Sequence, residues 1–218
     1  MDRAVFFDAN ALVLNSKDVS EYVAESIRNI YGIALEVSLK DYKGMTSKAL
    51  ARSLLLSHGV DEHEIEARLD RYIEDLPYSY YNVAWGDKVL VAAGAKELLQ
   101  ELKKRGIILG IVSGDAERVL RDKLKNTGIS EYFDVWSSGD VYEDMAGIIK
   151  SALDAASEQG MESGKAVSVS GSEVIIAAFK SAGVYTIGIE GDDESKSADL
   201  RLRSLAERDK VINAVSGL

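Results

Sequence analysis

The stretch Ala4-Val5-Phe6-Phe7-Asp8 decides how the chain is interpreted, because an uninterrupted apolar run ends there in a single carboxylate. Short continuous apolar runs are typical of strands that are covered on both faces of a parallel sheet. In α/β folds, ligand chemistry lies at the carboxyl ends of such strands. Asp8 is therefore the first candidate for a functional residue, and the segment 8–12 is predicted to lead out of the sheet.

Strand-like and helix-like segments alternate in the second half of the chain. Residues 107–112 and 167–169 read as buried strands, whereas residues 95–105 and 145–158 repeat apolar side chains at intervals of three and four. This alternation favours a parallel sheet with helices on both faces. The predicted fold class is therefore α/β.

The block between the first two strong strands shows helical periodicity only. An apolar stripe from Val19 to Ile30 predicts one helix, and residues 46–58 predict a second. A third is predicted to begin at Asp61 and to end at Pro77, since proline disfavours continuation of a helix. We therefore predict an α/β core formed by residues 1–14 and 87–218, with an inserted helical cap at residues 15–86.

Composition limits the possible partners. The net charge is −10 and the pI is about 4.8, so an acidic surface would repel nucleic acid. No apolar run has the roughly 18–20 residues that a membrane span requires, and the amino terminus lacks the pattern of a signal peptide. With no cysteine in the sequence, we expect a cytoplasmic monomer or homodimer whose partner is an unspecified small molecule or protein.

Several short motifs, taken in order, resemble the haloacid dehalogenase (HAD) superfamily. The closest resemblance is to the phosphoglycolate-phosphatase-like branch, which carries a helical cap after its first motif. The resemblance implies a Rossmann-like parallel sheet with that inserted cap. It rests on Phe7-Asp8, on Gly94 followed by Leu98, Leu99, Leu102, Lys103 and Gly106, on Ile111-Val112-Ser113-Gly114, on Glu131-Tyr132-Phe133-Asp134, and on Ala182-Gly183.

The resemblance also implies where catalytic residues would lie. The family's first motif is Asp-x-Asp, with a nucleophile and a general acid/base. Asp8 matches the nucleophile, and Asn10 stands at the second position. Ser113 matches the hydroxyl of the second motif, which donates to a phosphoryl oxygen.

The third and fourth motifs depart from the family's pattern. The charge-balancing lysine falls on Glu143, and the Gly-Asp of the magnesium motif falls on Ser170-Gly171, with its further aspartate on Ile175. Magnesium prefers an octahedral oxygen shell with one or two carboxylates, which these residues do not supply. We therefore expect no cofactor and no ordinary magnesium-dependent phosphatase activity. A ligand-binding role is predicted for Ser170, Gly171 and Glu143.

Two active alternatives remain open. In one, a phosphomonoesterase uses Asp8 with Asp140, Asp144 and Glu173 as atypical magnesium ligands. In the other, which we rank last, a metal-free dehalogenase is suggested by Asp8-Ala9 and by residues 167–170, although the lysine and the late aspartate of that branch fall on Glu143 and Ile175. A structural interpretation also exists, in which Asp8 bonds to loop amides and Ser113 caps a turn.

Overall fold

The computed structural model describes residues 2–15, 20–38, 44–85, 88–190 and 195–218. Strands and helices alternate along the core, as the sequence predicts. The strands are β1 (Ala4–Asp8), β2 (Val13–Asn15), β3 (Val89–Val91), β4 (Ile108–Val112), β5 (Val135–Ser137), β6 (Ala166–Ser170), β7 (Tyr185–Ile189) and β8 (Leu200–Leu202). The helices are α1 (Ala9–Leu12), α2 (Glu21–Tyr31), α3 (Ser47–Ser57), α4 (Glu62–Val83), α5 (Ala95–Lys104), α6 (Glu117–Leu124), α7 (Met145–Glu158), α8 (Glu173–Ser181) and α9 (Arg208–Ser216).

Six of these strands form one parallel sheet in the order β5-β4-β1-β6-β7-β8. The central position of β1 places Asp8 beside Val112 of β4, and Phe7 beside Val169 of β6. Ser113 and Ser170 therefore lie at the same edge of the sheet as Asp8. The predicted α/β class is confirmed.

Both faces of the sheet are covered, which explains the continuous apolar strands. Along β1, Val5 and Phe7 face a cluster that includes α5, α6 and α9, whereas Ala4 and Phe6 face a cluster with α7 and α8. Alternate residues of a strand point to opposite faces, so a strand covered on both sides is apolar throughout instead of alternating between apolar and polar residues. All five residues of β1 are buried.

The cap helices α2, α3 and α4 share an apolar cluster of their own. It contains Tyr22, Ile27, Leu54 and Tyr72, and Val119 of α6 joins it from the core. The antiparallel pair β2–β3 connects the two parts, and no sequence pattern predicted it. Val19 and the predicted cap limit at residue 86 lie outside the described residues, and the limit at residue 15 adjoins an undescribed segment. Both limits therefore stay a prediction.

The predicted end of the third cap helix at Pro77 is wrong, because α4 continues to Val83. Proline removes one helical hydrogen bond and crowds the preceding turn, a cost of about 3 kcal/mol. Pro77 and Tyr80 are buried, and the Tyr80 ring packs edge-on against Tyr22 at 5.5 Å. The burial of these side chains offsets the cost of the proline. Although α4 has 22 residues, no helix in the described segments is long and apolar enough to cross a membrane.

Candidate functional site

Asp8 ends β1 and caps the first turn of α1. Its Oδ1 accepts a hydrogen bond from the backbone N–H of Asn10 at 3.1 Å, and its Oδ2 accepts one from the Ser170 hydroxyl at 2.9 Å. The residue is only 2% exposed. Both carboxylate oxygens are therefore held in fixed directions at the carboxyl edge of the sheet.

Burial is the main influence on the protonation of this carboxyl group. It raises the pKa of Asp8 to about 6, although the hydrogen bonds from Ser170 and Asn10 oppose that rise. The nearby charge of Asp115 raises the pKa further, and that of Lys123 lowers it. Asp8 therefore titrates close to neutral pH, and buried carboxyls with such pKa values are concentrated at functional sites.

The raised pKa of Asp8 predicts a pH-dependent stabilisation by Asp8→Asn. The folded state prefers the protonated carboxyl, so the wild type loses stability as the pH rises from about 4 to 6, and no further above that window. With a folded pKa of about 6, we expect Asp8→Asn to be about 2–3 kcal/mol more stable at pH 7.5 than the wild type. Urea unfolding of both proteins measures this difference.

The same comparison at about pH 4 supplies the control, because the buried carboxyl of the folded wild type is then protonated and neutral, like the amide. Titrations of other groups cancel between the two proteins. A stability difference that is the same at both pH values would contradict the pKa assigned to Asp8.

Ser113 follows β4 and bonds to the residue two positions along. Its hydroxyl donates to Asp115 Oδ2 at 3.3 Å and accepts from the Asp115 backbone N–H at 3.1 Å. The Asp115 carboxylate also accepts from the Tyr22 hydroxyl of the cap at 3.1 Å and from Lys123 Nζ at 2.6 Å. Ser113 thus belongs to a polar cluster, Tyr22–Ser113–Asp115–Lys123, that joins the cap to the core.

The charges in this cluster compensate each other. Burial alone would raise the pKa of Asp115, but the charge and hydrogen bond of Lys123, together with the bonds from Tyr22 and Ser113, hold that pKa below its usual value. Burial, followed by the charge of Asp115, raises the pKa of the Tyr22 hydroxyl well above 10. Asp115 and Lys123 are therefore an ion pair at neutral pH, with side chains 19% and 12% exposed.

Sequence reasoning missed Lys123, which brings a positive charge near Asp8 from α6. Its ammonium lies 5.7 Å from the centre of the Tyr80 ring in the cap. The family's pattern places a lysine elsewhere, at the position of Glu143. A polar residue near the inner side of α6 was the available signal. Its partner Asp115, however, precedes that helix and lies eight residues away, beyond the three or four residues that separate contacting side chains of a helix.

Glu143 is paired with a cation of the cap. Its carboxylate lies 2.8 Å from Arg52 Nη2, and the same guanidinium also contacts Glu62 and Glu66. The Thr46 hydroxyl donates to the Glu143 carbonyl at 3.1 Å. The negative charge that stands at the expected lysine position is thus engaged by the cap.

The segment that begins α3 docks directly on the loop after β4. The Ser47 N–H donates to the Gly114 carbonyl at 2.8 Å, and the Ser47 hydroxyl accepts from the Ala116 N–H at 3.1 Å. Together with the Tyr22–Asp115 bond, these contacts hold the cap against the edge of the sheet that carries Asp8.

The remaining predicted residues occupy several local environments. Asp140 accepts from the Ser138 hydroxyl at 2.6 Å, Asp144 caps α7 by accepting from the Gly147 N–H at 2.7 Å, and Glu173 accepts from the Ser197 N–H at 3.2 Å.

The Ser170 hydroxyl accepts from the Ser172 N–H at 2.9 Å while it donates to Asp8. A Cβ added at Gly171 would meet no atom within 4 Å. The side chain of Asn10 is exposed.

The described residues do not fit a magnesium ion. Within the described segments, no three or more His, Asp or Glu side chains are grouped in a way that could hold a metal. Each oxygen of Asp8 already accepts a hydrogen bond. One carboxylate with a raised pKa is a poor donor set for an ion that requires an octahedral oxygen shell. The roles of Asp140, Asp144 and Glu173 as metal ligands stay predictions.

A parallel sheet with a carboxylate at the end of its central strand and a helical cap docked above it defines a class of capped α/β proteins. The family model described as Haloacid dehalogenase-like hydrolase matches residues 5–189, and the chain belongs to this family. The resemblance inferred from the sequence is thereby confirmed. A search of curated proteins found no match.

Solved structures share the whole fold at low sequence identity. β-Phosphoglucomutase (pgmB) from Clostridium difficile has a TM-score of 0.74 and 17% identity, with 100% of this chain and 98% of that one covered. CbbY from Rhodobacter sphaeroides, in complex with phosphate, has a TM-score of 0.71 and 20% identity, with coverages of 95% and 96%. A predicted phosphoglycolate phosphatase from Haemophilus somnus has a TM-score of 0.70 and 17% identity, with coverages of 97% and 98%.

Proposed function

We propose that this HAD-like protein has lost magnesium-dependent phosphatase activity and that its capped cleft binds a ligand or a protein partner. The observation that carries the proposal is the setting of Asp8. Its carboxylate is buried and hydrogen-bonded on both oxygens, and no metal-holding group of side chains is found in the described segments. The fold and family are those of hydrolases, whereas the site lacks the charges that phosphoryl transfer needs.

Electrostatics decides against direct attack by Asp8 on a phosphate. Two unit charges of the same sign at 4 Å repel by about 4 kcal/mol at the effective dielectric typical of protein sites, and a phosphate dianion doubles that energy. A metal ion would normally offset the repulsion. Among the described residues, Lys123 is a cation whose charge reaches Asp8, but Asp115 neutralises it at 2.6 Å. The Lys123–Asp115 pair therefore has no net positive charge with which to attract a phosphate dianion.

The site also has no general acid/base at the position where the family's pattern has one. Asn10 lies on the first turn after Asp8, and its amide is neither an effective acid nor an effective base near neutral pH. Loss of general acid/base assistance alone costs about 10²–10⁴ in rate. The Ser113 hydroxyl points to Asp115 and is already used inside the cluster. These replacements act on the same step, so we expect hydrolysis at the background rate.

A phosphatase assay tests the proposal. The purified protein is incubated with 4-nitrophenyl phosphate, with and without magnesium, beside Asp8→Ala and Asp8→Asn. We expect no turnover that depends on both magnesium and Asp8. We also expect magnesium to leave the melting temperature unchanged, since an ion that binds the native state must stabilise it.

The opposite result has a clear form. Turnover that magnesium stimulates and that both Asp8 variants abolish would refute the proposal in favour of a phosphomonoesterase with atypical ligands. Variants of Asp140, Asp144 and Glu173 would then identify those ligands. Halide release from 2-chloropropionate without metal would instead support the dehalogenase alternative.

A further inference from the structure

A groove of about 220 Å³ lies at the amino-terminal edge of the sheet. It is bounded by the end of α5, the start of β4, the residue before β1, and α9. Four aliphatic side chains, each no more than 9% exposed, form its floor, and two arginines and Ser216 form its polar rim. The aliphatic residues are Leu102, Ile107, Ile212 and Val215, and the arginines are Arg3 and Arg105.

Both arginines already pair with carboxylates of the chain. Arg3 Nη1 lies 3.2 Å from Asp2, and Arg105 Nε lies 2.9 Å from Glu101. These carboxylates are 47% and 31% exposed, and ion pairs of this kind contribute little to stability. The two guanidiniums are therefore available to share or exchange a carboxylate partner.

Arg3 carries a second, independent signal. Its Nε is buried and has no hydrogen-bond partner in the part of the chain that the structure describes. A buried donor without an acceptor is unfavourable, and most such groups in folded proteins are satisfied by protein, water or ligand. A ligand carboxylate that replaced Asp2 at the Arg3 guanidinium, with a rotation of that side chain, would bring an acceptor oxygen to this group.

We infer that the groove binds a small monocarboxylate with an aliphatic body. The planar guanidinium fork matches a carboxylate, and the four aliphatic side chains match a short hydrocarbon chain. A multiply charged anion fits less well, because the chain has a net charge of −10 and each arginine already has a carboxylate partner. Small-molecule sites commonly combine an apolar wall with a few polar groups that fix orientation.

This site is separate from the cleft around Asp8. Arg3 precedes β1 and Asp8 ends it, so the two lie at opposite edges of the sheet, about 17 Å apart at the usual rise of a strand. The inference therefore does not depend on the proposed function. The titration described below is expected to be the same in Asp8→Asn.

An NMR titration with 3-methylbutanoate tests the inference. At constant ionic strength, we expect saturable shifts of the backbone amide signals of Ile107, Ile212 and Val215. The neutral 3-methylbutanamide, which has the same hydrocarbon body, should bind at least fivefold more weakly. Arg3→Gln should weaken binding of the acid at least fivefold, and Arg105→Gln should also weaken it.

Arg121→Gln is the matched control. Arg121 lies on α6, is 50% exposed and pairs with Glu117 by the same kind of surface contact, so its loss should leave the titration unchanged. The inference is overturned if acid and amide bind equally, if neither Arg3→Gln nor Arg105→Gln weakens binding, or if the shifts fail to saturate or map elsewhere. Arg105→Gln decides the matter if Arg3→Gln proves unfolded in its own spectrum.

Discussion

Replacing Lys123 with methionine is expected to destabilise the protein by about 3–5 kcal/mol at neutral pH. The Lys123 ammonium lies 2.6 Å from Asp115 Oδ2, and the two side chains are only 12% and 19% exposed. Without that partner, the Asp115 carboxylate would remain charged in a site that burial makes unfavourable. The loss would reach both the core and the cap, because Tyr22 donates to the same carboxylate.

Urea unfolding at two pH values measures this effect. The lowered pKa of Asp115 contributes stability above its unfolded pKa, and that contribution is lost as the pH falls. In Lys123→Met, Asp115 accepts a proton more readily, so the deficit should be smaller at about pH 4 than at pH 7. Lys125→Met changes an exposed lysine next to the same helix and should be nearly neutral.

A double-mutant cycle separates the ion pair from packing. In Asp115→Asn/Lys123→Met no uncompensated charge remains, so the combined loss should be smaller than the sum of the single losses. Lys123→Met within 1 kcal/mol of the wild type, or a strictly additive cycle, would show that the pair carries no such energy.

The fold was predictable because its strongest signals are local. The run that ends at Asp8 does not alternate with polar residues, as a strand covered on both faces requires. The helical spacing of residues 145–158 coincides with α7. The alternation of these strands and helices along the chain was enough to predict a parallel sheet. The β2–β3 pair was missed, because each strand has three residues and the cap separates them in sequence.

Pro77 shows where local preference fails. The intrinsic helix propensity of proline is low, and it predicts that a helix should end there. Tertiary burial of Tyr80 against Tyr22 decides the outcome instead, and this contact joins residues far apart in the chain. No local pattern carries that information.

The candidate site was predictable only in part, for the same reason. Asp8 and Ser170 end neighbouring strands of the sheet, so their meeting follows from the topology. The partners of Asp115 do not follow in that way. Tyr22 lies in the cap, and Asp115 lies before α6, separated from its first residue by the extended Ala116. Neither contact therefore has the spacing of three or four residues that predicts a bond within a helix.

Gly139→Ala is expected to be the second severe substitution, with a loss of about 3 kcal/mol, at the upper end of the usual cost of overpacking. An added Cβ would overlap the Gly114 carbonyl oxygen, and it would lie 2.6 Å from that carbonyl carbon and 3.0 Å from Thr46 Cβ. Backbone atoms cannot move aside by changing rotamer. The loop that links Ser113 to Asp115 would therefore have to shift.

The shift would also disturb the docking of the cap, because the Ser47 N–H donates to the same Gly114 carbonyl at 2.8 Å. Thermal unfolding should show a melting temperature about 6–12 °C lower for a domain of this size. Faster hydrogen exchange at the Ser47 amide should accompany it. Gly171→Ala is the matched control, since its Cβ would meet no atom within 4 Å and neither glycine has a positive φ. If both variants melt like the wild type, the close approach of the Gly139 and Gly114 backbones is not what holds this loop and the cap in place.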